Sequence, residues 1–323
     1  MGAAQNFQVL LSNITNPTLL FFVLGIVAFL IKSDLEIPAP SIKFISLYLL
    51  FSIGFKGGQE LQHSELTSEI WYSLIFGAVL ATIIPLYTFF ILKMRVGVSN
   101  AGAIAASYGS VSAVTFVSAA TFLEMQSVHF GGHMIAVMAL MEFPAIIMGF
   151  VLIKKFEKEH GTEVSFKSII THAISNGSVL MIMGSLLIGI ISDSRQAEGI
   201  KPFTNDIFKG FLAIFLLEMG MITAKRFSTF RQHGLFVFMF AIFIPLLNGC
   251  VVAFLSGSII SDVGNRFIFS ILAASASYIA VPAAMRLAAP KSDPGLYIPM
   301  ALGVTFPFNI TIGMPLYYLI IHS

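Results

Sequence analysis

Apolar residues run through this chain in long blocks, and charges and turn residues are confined to the gaps between them. Ten blocks of about 15–25 residues meet the length that a bilayer core demands of a spanning helix. They lie near 17–31, 41–55, 69–92, 99–122, 132–153, 174–192, 206–224, 234–260, 266–288 and 295–321. Two of them are broken. Ala105-Ala106-Ser107-Tyr108-Gly109-Ser110-Val111-Ser112-Ala113 interrupts the fourth block, and Ala273-Ala274-Ser275-Ala276-Ser277-Tyr278-Ile279-Ala280-Val281-Pro282 interrupts the ninth. Unwound backbone at membrane depth survives only inside protein or beside a watery cavity, because lipid offers no hydrogen-bond partner. Small, hydroxyl-rich breaks at matching places in two halves point to a transporter with its ligand between them.

The matching extends beyond the breaks. Ile83-Ile84-Pro85-Leu86 in span three recurs as Phe243-Ile244-Pro245-Leu246 in span eight, and Phe143-Pro144 in span five recurs as Phe306-Pro307 in span ten. Ile53-Gly54 pairs with Met219-Gly220, and Asn16-Pro17-Thr18 is echoed by Asn176-Gly177-Ser178. The offsets of 160–168 residues fit one duplication with small insertions. Five spans per half is an odd number, so the second half enters the membrane inverted. The expected fold is an all-α membrane protein with ten transmembrane helices in a 5+5 inverted repeat. Residues 1–158 form the first repeat and 159–323 the second, with the broken spans four and nine crossing near the midplane.

Charge placement orients the chain. With the N-terminus outside, 13 of the 18 Lys and Arg residues fall on the cytoplasmic side and 5 outside, which follows the positive-inside rule. Both termini are expected outside a plasma (inner) membrane, with the 154–172 connector in the cytoplasm. Only 11% of residues are charged, against about 25% in soluble domains, and the net charge of +2 is too small and dispersed for a nucleic-acid partner. Met1 to Asn13 lacks a basic region and a small-residue cleavage site, so the first apolar segment reads as a permanent span.

A helix broken at mid-membrane offers N–H groups that suit an anion and C=O groups that suit a cation. Ser110, Ser112, Thr115, Ser275 and Ser277 add hydroxyls without formal charge. Such residues also serve close helix packing, but the symmetric pair of breaks, one closed by Pro282, favours a binding role. Glu142 in span five and Glu218 in span seven are intramembrane acids, costly enough to suggest function. Asn309 and Thr305 in span ten suit structural hydrogen bonding equally well. Cys250 is the only cysteine and reads as a small packed residue. His129 and His133 have i, i+4 spacing but no acidic neighbour in sequence, so no metal site is expected. Lys56 near the outer mouth could attract anions or simply snorkel. No phosphate loop or nucleophile elbow occurs, and an enzyme is not expected.

Taken together, these residues resemble the sodium-dependent bicarbonate transporter family known from cyanobacteria. The likeness is carried by Asn16-Pro17-Thr18-Leu19, Gly54 with Gly57-Gly58, Tyr108 to Thr115, Glu142-Phe143-Pro144-Ala145, Met219-Gly220-Met221, Ala273 to Ser277, Pro282, Arg286, and Asp293-Pro294 leading to Tyr297-Ile298. The resemblance implies an elevator-type symporter, a homotrimer, and a PII-like cytoplasmic regulatory partner. It also implies bicarbonate and Na+ held at the crossing, with Na+ the coupling ion and no other cofactor. Ser110, Val111, Ser112, Ala113, Ser275, Ser277 and Tyr278 are assigned to the anion on this basis, and Gly109, Thr115, Ser277 and Glu142 to Na+. The chain departs from familiar members at Tyr278, where they carry an acid, and at Val114, Ala280 and Val281, where they carry serine, serine and glycine. The long hydrophilic insert between their halves is reduced here to a short connector. These departures bear on sodium coupling and leave two further expectations: a permease for another small anion, or a non-transporting membrane sensor or docking platform.

Overall fold

The computed structural model describes residues 17–63, 67–157, 171, 175, 177–230 and 234–322, the side chains of 226–230, 283 and 286–288 excepted. Met1 to Asn16, Asn176, most of the connector and the Arg286 side chain therefore lie outside the described residues. Helix stands at each of the ten expected positions. In chain order these are α1 Pro17–Leu30, α2 Ala39–Gln62, α3 Ser68–Val96, α4 Val98–Gly109 followed by α5 Ala113–Met125, and α6 His133–Phe156. The second half continues with α7 Gly177–Ile191, α8 Ser194–Lys201, α9 Phe208–Phe230, α10 Leu235–Leu255, α11 Val263–Ala274 followed by α12 Ala280–Ala288, and α13 Pro294–His322. Among the described residues no strand occurs.

Seven stretches are long and apolar enough to cross a membrane, whereas α1, α7 and α11 are shorter. Two features were not expected. The segment after α7 forms the short polar helix α8, all of whose residues are exposed or half-buried. Within α13 the backbone widens to π-helical turns at Met300–Thr305 and Asn309–Gly313, on either side of Pro307.

Glycine decides which helices meet. A Cβ on Gly25 in α1 would stand 1.9 Å from the Leu217 carbonyl oxygen of α9, and one on Gly220 in α9 would stand 2.0 Å from that of Phe22. Gly54 and Gly58 of α2 press in the same way on Ile182 and Leu186 of α7, where Gly189 reciprocates against Phe55. Only backbones without side chains approach this closely, which is the general logic of small-residue packing in membranes. Gln59 of α2 then donates to the Gly189 and Ser192 carbonyls, supplying acceptors that the end of α7 leaves open with a donor. So α1 and α2 each pack on a helix from the other half of the chain.

The remaining helices form a second cluster. α3, α4 and α6 pack together, with Gly102 against Ile153 and Gly149 against Ala106. α10, α11 and α13 do likewise, with Gly249 under the Tyr317 ring. Proline inside α10 costs a backbone bond, since Pro245 has no N–H for the Ala241 carbonyl. Thr305 of α13 donates its hydroxyl to that carbonyl at 2.7 Å, and Tyr108 of α4 donates to Thr305 at 2.8 Å. Every residue from 101 to 112 is buried, so the first interruption lies inside protein and away from lipid.

Gly25→Ala is expected to push α1 off α9 and lower the melting temperature of the detergent-purified protein, an overpacking cost of about 1–3 kcal/mol. Gly184→Ala, in open space on α7, should leave it unchanged. Equal melting temperatures for both variants would show that the close approach holds nothing together.

Candidate functional site at the two helix interruptions

Both interruptions begin with a serine in extended conformation. Ser110 follows α4 with φ −82° and ψ 172°, and Ser275 follows α11 with φ −82° and ψ 166°. Backbone that leaves a helix this way strands its last carbonyls, so the neighbouring elements must answer them. At α11 they are answered by amides: Asn248 Nδ2 donates to the Ala273 oxygen at 3.1 Å, and Asn309 Nδ2 to that of Ala274 at 2.8 Å. Asn248 is itself oriented by the Tyr87 hydroxyl, which donates to its Oδ1.

The two interruptions are also tied to each other. The Ser277 N–H donates to the Ser107 oxygen at 2.8 Å, while Ser107 Oγ donates to the Ser277 oxygen at 2.5 Å. The Ser112 N–H donates to Ser275 Oγ at 3.1 Å, and the Ser275 hydroxyl donates to the Leu272 oxygen at 2.9 Å. Ser112 Oγ caps α5 by accepting from Thr115 N at 3.2 Å, and Ser277 Oγ accepts from Val281 N at 3.4 Å in the first turn of α12. Pro282, the third residue of α12, has no N–H and so removes one of the four unpaired donors there.

Beside these ties lies a pocket of about 20 Å³, lined by Val111, Ser112, Ala113, Glu142, Ser277, Tyr278, Ile279 and Ala280, with Leu50 and Ser178 from the other helix set. Ala113 and Ala280 are the first residues of α5 and α12, so two helix N-termini contribute to one pocket. Their partial positive charge favours an anion. Glu142 is the acidic side chain of the lining: it is buried in α6, and its Oε2 has no hydrogen-bond partner. The buried Tyr278 hydroxyl neighbours Ser112. The volume holds about one water-sized particle, enough for a bare monovalent cation. A planar anion of several atoms requires the walls to part.

The structure therefore brings Val111, Ser112, Ala113, Ser277, Tyr278 and Glu142 to one pocket. Ser110, Ser275, Gly109 and Thr115 lie outside its lining. Ser275 is engaged between the interruptions, and Thr115 is represented by its N–H on Ser112. Gly109 has a packing reason, since a Cβ there would stand 2.1 Å from the Pro85 ring. The Ser110 hydroxyl is buried and unpartnered. Glu218 sits half-buried on α9 in the field of Glu36 and Lys225, away from this pocket. Sequence reasoning missed Asn248 and Ser178. An asparagine inside the apolar run of α10 was a readable signal, because an unpaired amide there is costly. Ser178 carried only its place in the repeat. Among the described residues no group of three His, Cys, Asp or Glu side chains could hold a metal.

Apolar helices long enough to cross a membrane surround this small pocket, as in a multi-pass membrane protein. The chain belongs to the Na+-dependent bicarbonate transporter superfamily, whose family model matches residues 17–322. Comparison with curated proteins returns no match.

Asn309→Leu should strand the Ala274 carbonyl and cost about 1–2 kcal/mol, read as a lower melting temperature. Asn309→Asp, which keeps an oxygen but presents no amide donor, should fall at least as far. A melting temperature equal to that of the parent protein in both variants would rule out this capping role.

Proposed function

We propose that the chain carries a small monovalent anion, bicarbonate foremost, inward together with Na+. The carrying observation is the convergence on one pocket of two helix N-termini and the carboxyl group of Glu142, whose Oε2 has no partner. An anion gains from the helix ends, and a cation gains from Glu142 with the hydroxyls of Ser112, Ser277 and Tyr278, because hard cations favour charged and neutral oxygens. Each ion also lowers the cost of burying the other, which gives a physical basis for coupling. Glu142 thus takes the part of the acid that relatives carry at the position of Tyr278. Membership of the superfamily supports the substrate class.

The proposed fold is the 5+5 inverted repeat. It is supported by the 12-residue helices α4 and α11 before the two interruptions, and by prolines inside α3 and α10. The pairing of α1 with α9 and α2 with α7 has the reciprocity such a repeat entails. Motion of the elevator type is proposed between this glycine-packed set and the cluster that bears the interruptions, with Leu50 and Ser178 facing the ions from the first. A second reading, transport of another small monocarboxylate, is favoured by the aliphatic walls Leu50, Val111, Ile279 and Ala280.

Uptake of labelled bicarbonate into proteoliposomes should rise with an inward sodium gradient. Glu142→Gln should abolish that rise while leaving residual uptake, and Tyr278→Phe should weaken sodium dependence severalfold. Uptake indifferent to sodium in the parent protein would remove the coupling, and acetate uptake without bicarbonate uptake would replace the substrate.

A further inference from the structure

Among the described residues a second cavity, of about 380 Å³, lies farther along α2 and α5 and is lined by Lys56, Glu60, Glu124, His129 and Phe130 among others. Sequence orientation places these residues on the outer side. Glu124 stands in the last turn of α5, where the helix dipole opposes a negative charge, so helix stability does not explain it. Its two oxygens meet two lysines from different helices. Lys56 Nζ of α2 is 3.7 Å from Oε1, and Lys209 Nζ of α9 is 3.1 Å from Oε2. The Glu124 side chain is 45% exposed, so it can swing into water at little cost. Two ammonium groups facing a planar pair of oxygens make a seat for a carboxylate-shaped anion, filled here by a tethered one.

We propose that this vestibule is a capture site for a small planar oxyanion, such as bicarbonate, with Glu124 as its built-in competitor. The anion accepts from Lys56 and Lys209 in the place of the Glu124 carboxylate, which rotates outward. Glu60 faces the same cavity near Lys56 and His129, and its charge confines the anion to the lysine side. A metal ion is disfavoured by both lysines, and among the described residues no donor cluster for one exists. The site lies outside the crossing pocket and goes beyond its proposed transport role, because binding is measurable in a protein that moves nothing.

The test uses the full chain carrying Trp71→Phe and Phe130→Trp, so that its only tryptophan lines the vestibule. Its emission is titrated with bicarbonate, acetate and chloride at fixed pH and ionic strength. Bicarbonate and acetate should give saturable changes, with chloride far weaker. Lys56→Gln and Lys209→Gln should each weaken the apparent Kd about tenfold, the loss of one charge-assisted bond. Glu124→Gln should tighten it severalfold by removing the competitor. If the trio is merely a strut, the lysine and glutamate variants shift in the same direction, and that result or a non-saturable signal overturns the proposal. Should Phe130→Trp fail to fold, the apparent KM for uptake by Lys56→Gln and Glu124→Gln in the unmodified background carries the same opposite-sign prediction, and shifts of one sign overturn it. Saturable binding without uptake would instead count against the transport reading alone.

Discussion

A backbone that stops being helical inside a membrane protein must find protein partners for every group it releases, because lipid supplies none. That constraint organises the whole centre of this molecule. Asn248 and Asn309 close the carbonyl end of α11, Ser107 and Ser277 exchange bonds across the interruptions, and Thr305 answers the carbonyl freed by Pro245. What the protein seals and what it leaves open are not equivalent. The α11 carbonyls are capped, whereas the first residues of α5 and α12 border a pocket. The helix ends at the pocket thereby favour a negatively charged ligand, and Glu142 is the acidic side chain in its lining.

The pocket also straddles a structural boundary. Most of its lining belongs to the cluster carrying the interruptions, but Leu50 and Ser178 come from the set of helices joined by glycine contacts. Displacing one set against the other changes those two walls while the serines and Glu142 keep their mutual arrangement. Under the elevator motion proposed above, the pocket of about 20 Å³ is one state of a variable space, and admission of a larger anion is tied to movement at this boundary. Each set is closely packed within itself, through Gly25, Gly54, Gly58 and Gly220 in one and Gly102, Gly149 and Gly249 in the other, which supports the proposed motion of the two as bodies.

Hydrophobic block length made the helices legible, because bilayer thickness imposes it. The positions of the interruptions were legible for the same reason: serine, glycine and alanine clusters do not otherwise punctuate apolar runs at matching places. The partners of the interruptions were less legible. An asparagine in an apolar run announces that it needs partners, but Asn248 finds them 25 and 161 positions away, so its role at the interruption is not readable locally. Gly109, assigned to Na+ by resemblance, also has a packing reason that only the Pro85 ring against it reveals. The polar helix α8 escaped because eight residues carry too little periodicity to separate from a loop.

The exchange of partners between halves has a consequence for biogenesis. α1 and α2 present grooves fitted to α9 and α7, which leave the ribosome well over a hundred residues later. At cellular elongation rates that interval is roughly 10–30 s. During it the nascent first half holds two glycine-lined furrows with no mate, open to lipid or to insertion chaperones. Assembly is therefore forced to be late and concerted, and a ribosome stalled inside the second half would leave behind a membrane-embedded fragment that cannot complete itself.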